Sequence, residues 1–175
     1  ALVRAILATA LRYRVTIAKL LSRRLERPLP PNATALTHLL HVAAAQILFL
    51  DVPDSAAVDL AVGHAKGDPR TARFARLANA VLRGLTRDKD AELAPALAAT
   101  IDAPDWFAER LADAYGEAEA EKILALHRLE APVDFSVKGD PAGWAERLGG
   151  IVLPTGSVRV ERLAGPVSDL PGFSE

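Results

Sequence analysis

The sequence is 175 residues long, half hydrophobic and a quarter charged, with a formal net charge of -1. This composition is typical of a soluble globular protein, and no stretch approaches the roughly 18 consecutive apolar residues of a membrane-spanning helix. The absence of cysteine excludes disulfides, thiolate metal sites and cysteine nucleophiles from this chain. The first residues also lack a signal-peptide pattern, so we expect a cytoplasmic protein.

The charge is unevenly distributed along the chain. Residues 1–89 contain 14 lysines and arginines against 6 acidic residues, whereas residues 90–175 contain 7 against 16. A basic region attracts polyanions through its field, and an acidic region repels them. Any contact with nucleic acid is therefore expected in the first half.

Apolar residues recur every three or four positions through most of the chain, which predicts helices. Two helices are expected between Leu2 and Leu25, with a break near Tyr13. A third, capped by Asn32 or Thr34, extends to Leu50 and is apolar nearly all round, so it should be the central, most buried helix. The remaining predicted helices are a short one capped by Asp54 or Ser55, one from Arg70 to about Arg87, and a pair at Trp106–Tyr115 and Glu117–Leu129.

After Pro132 the pattern changes. The alternating segment VDFSVK at 133–138 predicts a strand, PAGWAERL a short helix, and the stretches IVLP and SVRVERL two more strands. These roughly 43 residues resemble the opening of an α/β unit with too little two-sided core to be complete. Because the chain also begins in mid-helix and stops after DLPGFSE, we expect a piece of a larger protein.

The arginine-rich helix is the strongest candidate for a binding surface. At 100° per residue, Arg73, Arg76, Arg83 and Arg87 fall within an arc of about 80°, which we call the arginine face. The apolar residues of the same helix can bury the opposite side, so the arginine face can meet phosphate. A second basic set lies on the first two helices; its RNA-binding candidates are Arg12, Arg14, Lys19 and Arg23.

Other motifs give no catalytic or metal site. His38 and His41 share a helix face, but no carboxylate or cysteine lies nearby in sequence to complete a metal shell. His64 and Asp68 flank a turn without a serine or threonine nucleophile. The carboxylates of EAEAEK at 117–122 are typical of a solvated helix face, and PTGS at 154–157 is a turn without the spacing of a phosphate loop. We therefore expect no catalytic residue, no bound cofactor and no metal in this chain.

Two segments resemble a known family. The stretches AAAQILFLDVPDSAAVDLAV (43–62) and RFARLANAVLRGL (73–85), the second containing the motif NAVLR, are similar to the NusB-like domain of bacterial ribosomal RNA cytosine-C5 methyltransferases of the RsmB type. The resemblance continues through APDWFAERLADAYGEAEAEKILALHRLEAPVDFSVK (103–138) to DLPGFSE. Free NusB antitermination factors are similar only to the first part of this chain, because they lack the continuation through Trp106 and Pro132.

This resemblance implies a mainly α fold, in which a NusB-like all-helical bundle is followed by a small, incomplete α/β segment. The implied domains are an RNA-binding domain at 1–130 and the start of the methyltransferase module at 131–175. The parent enzyme would transfer a methyl group from S-adenosylmethionine to carbon 5 of a cytosine in small-subunit ribosomal RNA, using cysteines that this chain lacks. The chain alone is expected to be inactive, to bind small-subunit ribosomal RNA and no membrane, and to be a monomer.

Two alternatives remain open at this stage. NusB-like folds also act as protein-interaction modules, and such a role predicts binding through an apolar patch that salt does not weaken. The domain could instead be a scaffold whose arginines pair with carboxylates of a catalytic domain. In that case, removing the arginines would lower stability and leave RNA affinity unchanged.

Overall fold

The first part of the chain, in which apolar residues recur every three or four positions, forms α-helices, as the sequence predicts. The computed structural model describes residues 2–163 and 165–173 and divides, between Arg128 and Leu129, into two compact units. The helices of the first unit are α1 (Leu2–Arg12), α2 (Arg14–Ser22), α3 (Thr34–Phe49), α4 (Asp54–Gly67), α5 (Ala75–Ala98), α6 (Asp105–Tyr115) and α7 (Glu117–Leu126), with a 3₁₀ turn at Ala72–Phe74 before α5.

Helix α3 is the centre of the first unit and packs against α1, α2, α4 and α5. Its side chains Leu36, Leu40 and Ile47 are buried, together with a run of three small alanines that lets neighbouring helices approach closely. The prediction that this segment is the most buried helix is confirmed. Full burial of one such aliphatic side chain contributes roughly 1.5–3 kcal/mol.

Two predicted helix caps are wrong. Ala33 occupies the N-cap of α3 and Pro53 the N-cap of α4, and neither helix has a side-chain cap hydrogen bond. The carboxylate of Asp54 instead accepts a hydrogen bond from Lys89 Nζ at 2.8 Å, which ties the start of α4 to α5. The long-range ion pair therefore replaces the local cap.

Helix α5 is longer than predicted, because it continues beyond Arg87 to Ala98 and contains Pro95. Proline lacks an N–H and normally interrupts a helix, and the acidic, alanine-rich segment around it gave no clear periodic signal. Tertiary packing compensates, since Leu93 and Ala96 lie against the core. The predicted start at Arg70 is also wrong: residues 72–74 form the 3₁₀ turn.

The break between α1 and α2 is stabilised by residues that are distant in the sequence. The ring of Tyr13 stacks on Phe49 with centroids 4.0 Å apart, and its hydroxyl donates a hydrogen bond to the Arg128 carbonyl at 3.0 Å. At the first turn of α2, the Thr16 N–H and hydroxyl both donate to the carboxylate of Asp102, each at 2.7 Å. A residue 86 positions away thus caps α2.

The same carboxylate holds a buried ion pair. The side chain of Asp102 is only 2% exposed, and Arg128 Nη2 lies 3.1 Å from its Oδ2. The Arg128 guanidinium also donates to the carbonyls of Leu97 and Thr100. Because charged groups are seldom buried without such partners, this cluster is the main polar link between α2, the end of α5 and the end of α7.

The second unit contains a three-stranded antiparallel sheet and one helix. Its elements are β1 (Val133–Phe135), α8 (Pro141–Leu148), β2 (Ile151–Val152), β3 (Val158–Val160) and a 3₁₀ turn at Val167–Asp169. The strand order is β1-β3-β2, with Val133 opposite Val160 and Ile151 opposite Arg159. The predicted mainly α fold with a small α/β segment is confirmed, although the strands are shorter than expected.

Helix α8 covers one face of this sheet. Ala145 packs with the buried Val158 and Val160. The helix begins where the Asp140 carboxylate accepts from two backbone N–H groups, at 3.0 Å each, and ends at Gly149 in the left-handed conformation.

Candidate nucleic-acid interface

The four residues of the arginine face are all exposed to solvent. Arg76, Arg83 and Arg87 lie on α5, at helical angles that differ by about 40°. Arg73 lies in the preceding 3₁₀ turn, where the helical-wheel angle predicted for it does not apply, and its guanidinium carbon is 4.5 Å from the centroid of the Phe74 ring. The structure therefore places three of the four arginines on one helix face and the fourth just before it.

Arg76 and Arg83 carry charges that no carboxylate neutralises within residues 2–163 and 165–173. Arg83 Nε donates a hydrogen bond to Asn79 Oδ1 at 3.0 Å, one helical turn earlier. The Asn79 amide therefore contacts the arginine side chain and leaves its charge intact.

Arg87 is bound differently. Its Nε and Nη2 donate to the carboxylate of Asp88 at 2.9 and 3.2 Å. The hydrogen bond from Arg87 is the largest of several causes that lower the pKa of Asp88, and the same contact raises the pKa of Arg87. The two side chains form a neutral pair at neutral pH, so the arginine face is weaker at its carboxyl end than the sequence suggests.

An ion-pair chain joins the arginine face to the basic residues directly after α2. Asp88 Oδ2 lies 3.3 Å from Arg24 Nη2, which is 3.1 Å from Glu92 Oε2. Glu92 Oε2 is in turn 3.6 Å from Arg23 Nη1. The ion-pair chain therefore runs Arg87–Asp88–Arg24–Glu92–Arg23, with three positive and two negative charges. Arg24 is at its centre with a side chain only 9% exposed.

The remaining predicted residues lie on α1 and α2. Arg12 is half-buried at the end of α1, and Arg14 is exposed at the start of α2. Lys19 Nζ donates to Thr100 Oγ1 at 3.2 Å and to the Ala99 carbonyl at 3.4 Å. Its ammonium group is therefore committed to the loop after α5 rather than free for phosphate.

Comparison with known proteins identifies the family of the domain that contains this surface. The NusB family model matches residues 1–87. This part of the chain is a NusB-family domain. The predicted NusB-like fold of this region is thereby confirmed, and the NusB-family domain contains all eight candidate RNA-binding residues.

The whole chain has named relatives. It is 36% identical over 186 residues to ribosomal RNA small subunit methyltransferase B of Xanthomonas campestris pv. campestris, an alignment that covers 100% of this chain and 41% of that protein. Two proteins of the same name from Xylella fastidiosa, strains Temecula1 and 9a5c, are each 36% identical over 185 residues and 99% of this chain. The chain thus spans about 41% of the length of the curated relatives it matches.

The matched part of the NusB-family domain ends inside α5, and the residues that neutralise charge come directly after it. Asp88 and Glu92 are partners of the basic residues that the sequence did not predict. Their spacing of four places both carboxylates on one helix face, and this signal becomes visible once α5 is extended to Ala98.

A groove of about 460 Å³ lies between α3 and α4 of the NusB-family domain. Its floor is apolar, and its lining includes His38, His64 and Arg70. His41 has its own contact, with Nδ1 2.9 Å from the Thr37 carbonyl oxygen. Among residues 2–163 and 165–173, no three His, Cys, Asp or Glu side chains come together as a metal site. Nor does any helix in these ranges have the length and apolar character needed to cross a bilayer.

Proposed function

We propose that this chain is the RNA-binding amino-terminal region of an S-adenosylmethionine-dependent ribosomal RNA cytosine-C5 methyltransferase. It would hold small-subunit ribosomal RNA, as a cytoplasmic monomer, while another part of the enzyme transfers the methyl group. The observation that carries the proposal is the set of exposed, uncompensated arginines on a NusB-family domain. The named relatives, which are ribosomal RNA methyltransferases, support the choice of RNA over DNA.

The proposed phosphate contacts are Arg73, Arg76 and Arg83, because these side chains keep their full charge on the surface. Guanidinium groups bind phosphate through paired N–H donors, and each such contact displaces counterions from the RNA. Arg12 and Arg14 lie at the junction of α1 and α2, beside Tyr13, whose hydroxyl contacts Arg128, and they are proposed as separate phosphate contacts. Arg23, Arg87 and Lys19 contribute less, since their charges or donors are already engaged.

The two units divide the work in this proposal. The first, predicted from the sequence as residues 1–130, binds RNA, and residues 131–175 form the opening of the methyltransferase module. The PTGS turn of the second unit does not have the form of a glycine-rich cofactor loop, because it closes the β2–β3 hairpin, with Gly156 N–H donating to the Leu153 carbonyl at 2.9 Å, and leads into a strand rather than a helix. The chain by itself should transfer no methyl group.

A salt-dependent RNA titration tests this proposal. The 175-residue chain is titrated with small-subunit ribosomal RNA helices at several salt concentrations, alongside R73Q, R76Q and R83Q. Each substitution should weaken binding and reduce the slope of log K against log salt by roughly 1. R110Q is the matched control, because Arg110 is exposed on α6 with no ion-pair partner among the described residues. Binding that is independent of salt, or weakened equally by R110Q, would refute the proposal.

One observation favours a second candidate, the protein-interaction module. Val3, Leu7 and Leu11 lie on one side of α1 and are 71%, 51% and 72% exposed. An exposed aliphatic row of this kind is typical of a contact surface. This alternative predicts binding to a protein partner that V3S, L7S and L11S abolish, with no effect of salt or of the arginine substitutions.

A further inference from the structure

Asn79 and Arg83 form a side-chain pair on the exposed side of α5. Asn79 is half-buried and Arg83 is exposed, and the Nε–Oδ1 distance is 3.0 Å. Long side chains on a helix lean toward its amino end, so the residue four positions earlier is the natural partner for an arginine Nε. The amide therefore fixes the direction of the guanidinium group.

This contact leaves most of the guanidinium free. Arginine has five N–H donors, and Asn79 takes only the one on Nε. The four N–H groups on the two terminal nitrogens remain for a phosphate, which they can bind in a bidentate manner. Holding the side chain in this orientation before binding lowers the entropy lost on complex formation.

Arg87 and Asp88, on the same helix, show the effect of a carboxylate partner in place of an amide. Asp88 takes both Nε and Nη2 of Arg87 and supplies a full negative charge. A carboxylate therefore orients the guanidinium, occupies two of its five N–H donors and cancels its attraction for phosphate. A neutral amide orients the guanidinium and leaves its charge.

We propose that Asn79 is a positioning residue that holds the Arg83 guanidinium toward an RNA phosphate, and that its neutrality keeps the charge of Arg83 available. The inference rests on the proposed RNA-binding function and adds to it a residue that carries no charge and acts through Arg83.

A double-mutant cycle on the 175-residue chain tests the proposal, with RNA affinity measured across salt concentrations. N79A should weaken binding roughly 2- to 10-fold, the cost of leaving one long side chain free to reorient, without changing the salt slope. N79D should weaken binding more and lower the slope by about 1, because the new carboxylate neutralises Arg83. In an R83Q background, N79A should have no further effect.

T86A is the matched control. Thr86 lies on the same helix and its hydroxyl donates to the Arg83 carbonyl at 2.9 Å, so the substitution removes a local hydrogen bond without touching the guanidinium. T86A should leave RNA affinity unchanged, and melting temperatures should show that all variants remain folded. Equal weakening by N79A with and without R83Q, or no weakening at all when R83Q weakens binding, overturns the positioning role. If R83Q itself has no effect, the proposed RNA contact of this residue fails as well.

Discussion

Replacing Asp102 by alanine should destabilise the first unit severely. The carboxylate accepts two hydrogen bonds of 2.7 Å from Thr16 and lies 3.1 Å from Arg128 Nη2, while only 2% of its side chain is exposed. Truncation leaves a helix-initial N–H, a buried hydroxyl and a guanidinium without their common partner.

The expected loss follows from these contacts. Breaking a buried ion pair by removing one partner costs about 3–5 kcal/mol, and a hydrogen bond to a charged group contributes about 1.5–3 kcal/mol. The terms overlap because one carboxylate makes all the contacts, so we expect a loss of about 3–5 kcal/mol in the free energy of unfolding for D102A. D102N keeps an acceptor for the Thr16 N–H and should lose about 1–3 kcal/mol.

Urea and thermal unfolding monitored by circular dichroism measure these losses. Because 1 kcal/mol corresponds to roughly 4 °C in Tm for a unit of this size, D102A should lower Tm by about 12–20 °C. D113N is the control, since Asp113 is exposed on α6 and has no hydrogen bond or ion pair among the described residues. If D102A unfolds within about 0.5 kcal/mol of D113N, the long-range cap and the buried ion pair do not stabilise the fold.

Three further predictions concern other parts of the fold. The pKa of Asp68 is lowered to about 2, and the side-chain hydrogen bond from Arg70 is the largest cause. The folded state therefore binds this proton more weakly than the unfolded chain does. The pair stabilises the fold above about pH 4 and ceases to do so as the pH falls toward 2. NMR titration of the Asp68 carboxyl should show this value, and R70Q should return it toward 3.8; an unchanged value contradicts the assignment. Gly84 lies inside α5, where an added methyl would be 3.4 Å from Arg24 Cδ. G84A should therefore raise the free energy of unfolding by about 0.5–1 kcal/mol in a urea melt. A decrease would show that Arg24 cannot accommodate the methyl. At Gly150 an added methyl would be 2.5 Å from a backbone carbonyl oxygen of β3. G150A should therefore destabilise the second unit by about 1–3 kcal/mol, and on heating the NMR signals of the β3 amides should disappear earlier. Unchanged β3 signals would contradict this packing.

Local sequence patterns predicted much of the fold. The apolar spacing of three and four placed α1 to α4, α6 and α7 within a few residues, and the break near Tyr13 was located correctly. The uniformly apolar α3 was correctly assigned to the centre, because a helix without a polar face has to be covered on all sides. In each case the deciding information lay within one or two helical turns of the element.

The errors involve residues that meet only in the folded chain. Nothing near Asp102 in the sequence indicates that it caps a helix 86 positions away, and nothing near Asp54 indicates that Lys89 takes its carboxylate. The charge of the arginine face was overestimated for the same reason, since Arg24, buried in the turn after α2, lies beside Asp88 only after α2 packs on α5. Exposure of the arginines was predictable from periodicity, but their pairing was not.

The cap on α2 has a consequence for the order in which the chain can become stable. Thr16 leaves the ribosome before Asp102, so during synthesis the first turn of α2 has to wait for its acceptor until 86 further residues have been made. Such a long-range contact closes late and slows folding relative to a bundle held by neighbouring residues. A fragment ending at residue 87 would contain the region that matches the NusB family, yet it would lack the second half of α5, the acidic partners of Arg24 and the cap itself. The smallest stable piece of this protein should therefore extend to Arg128, well beyond residue 87, where the match to the NusB family ends.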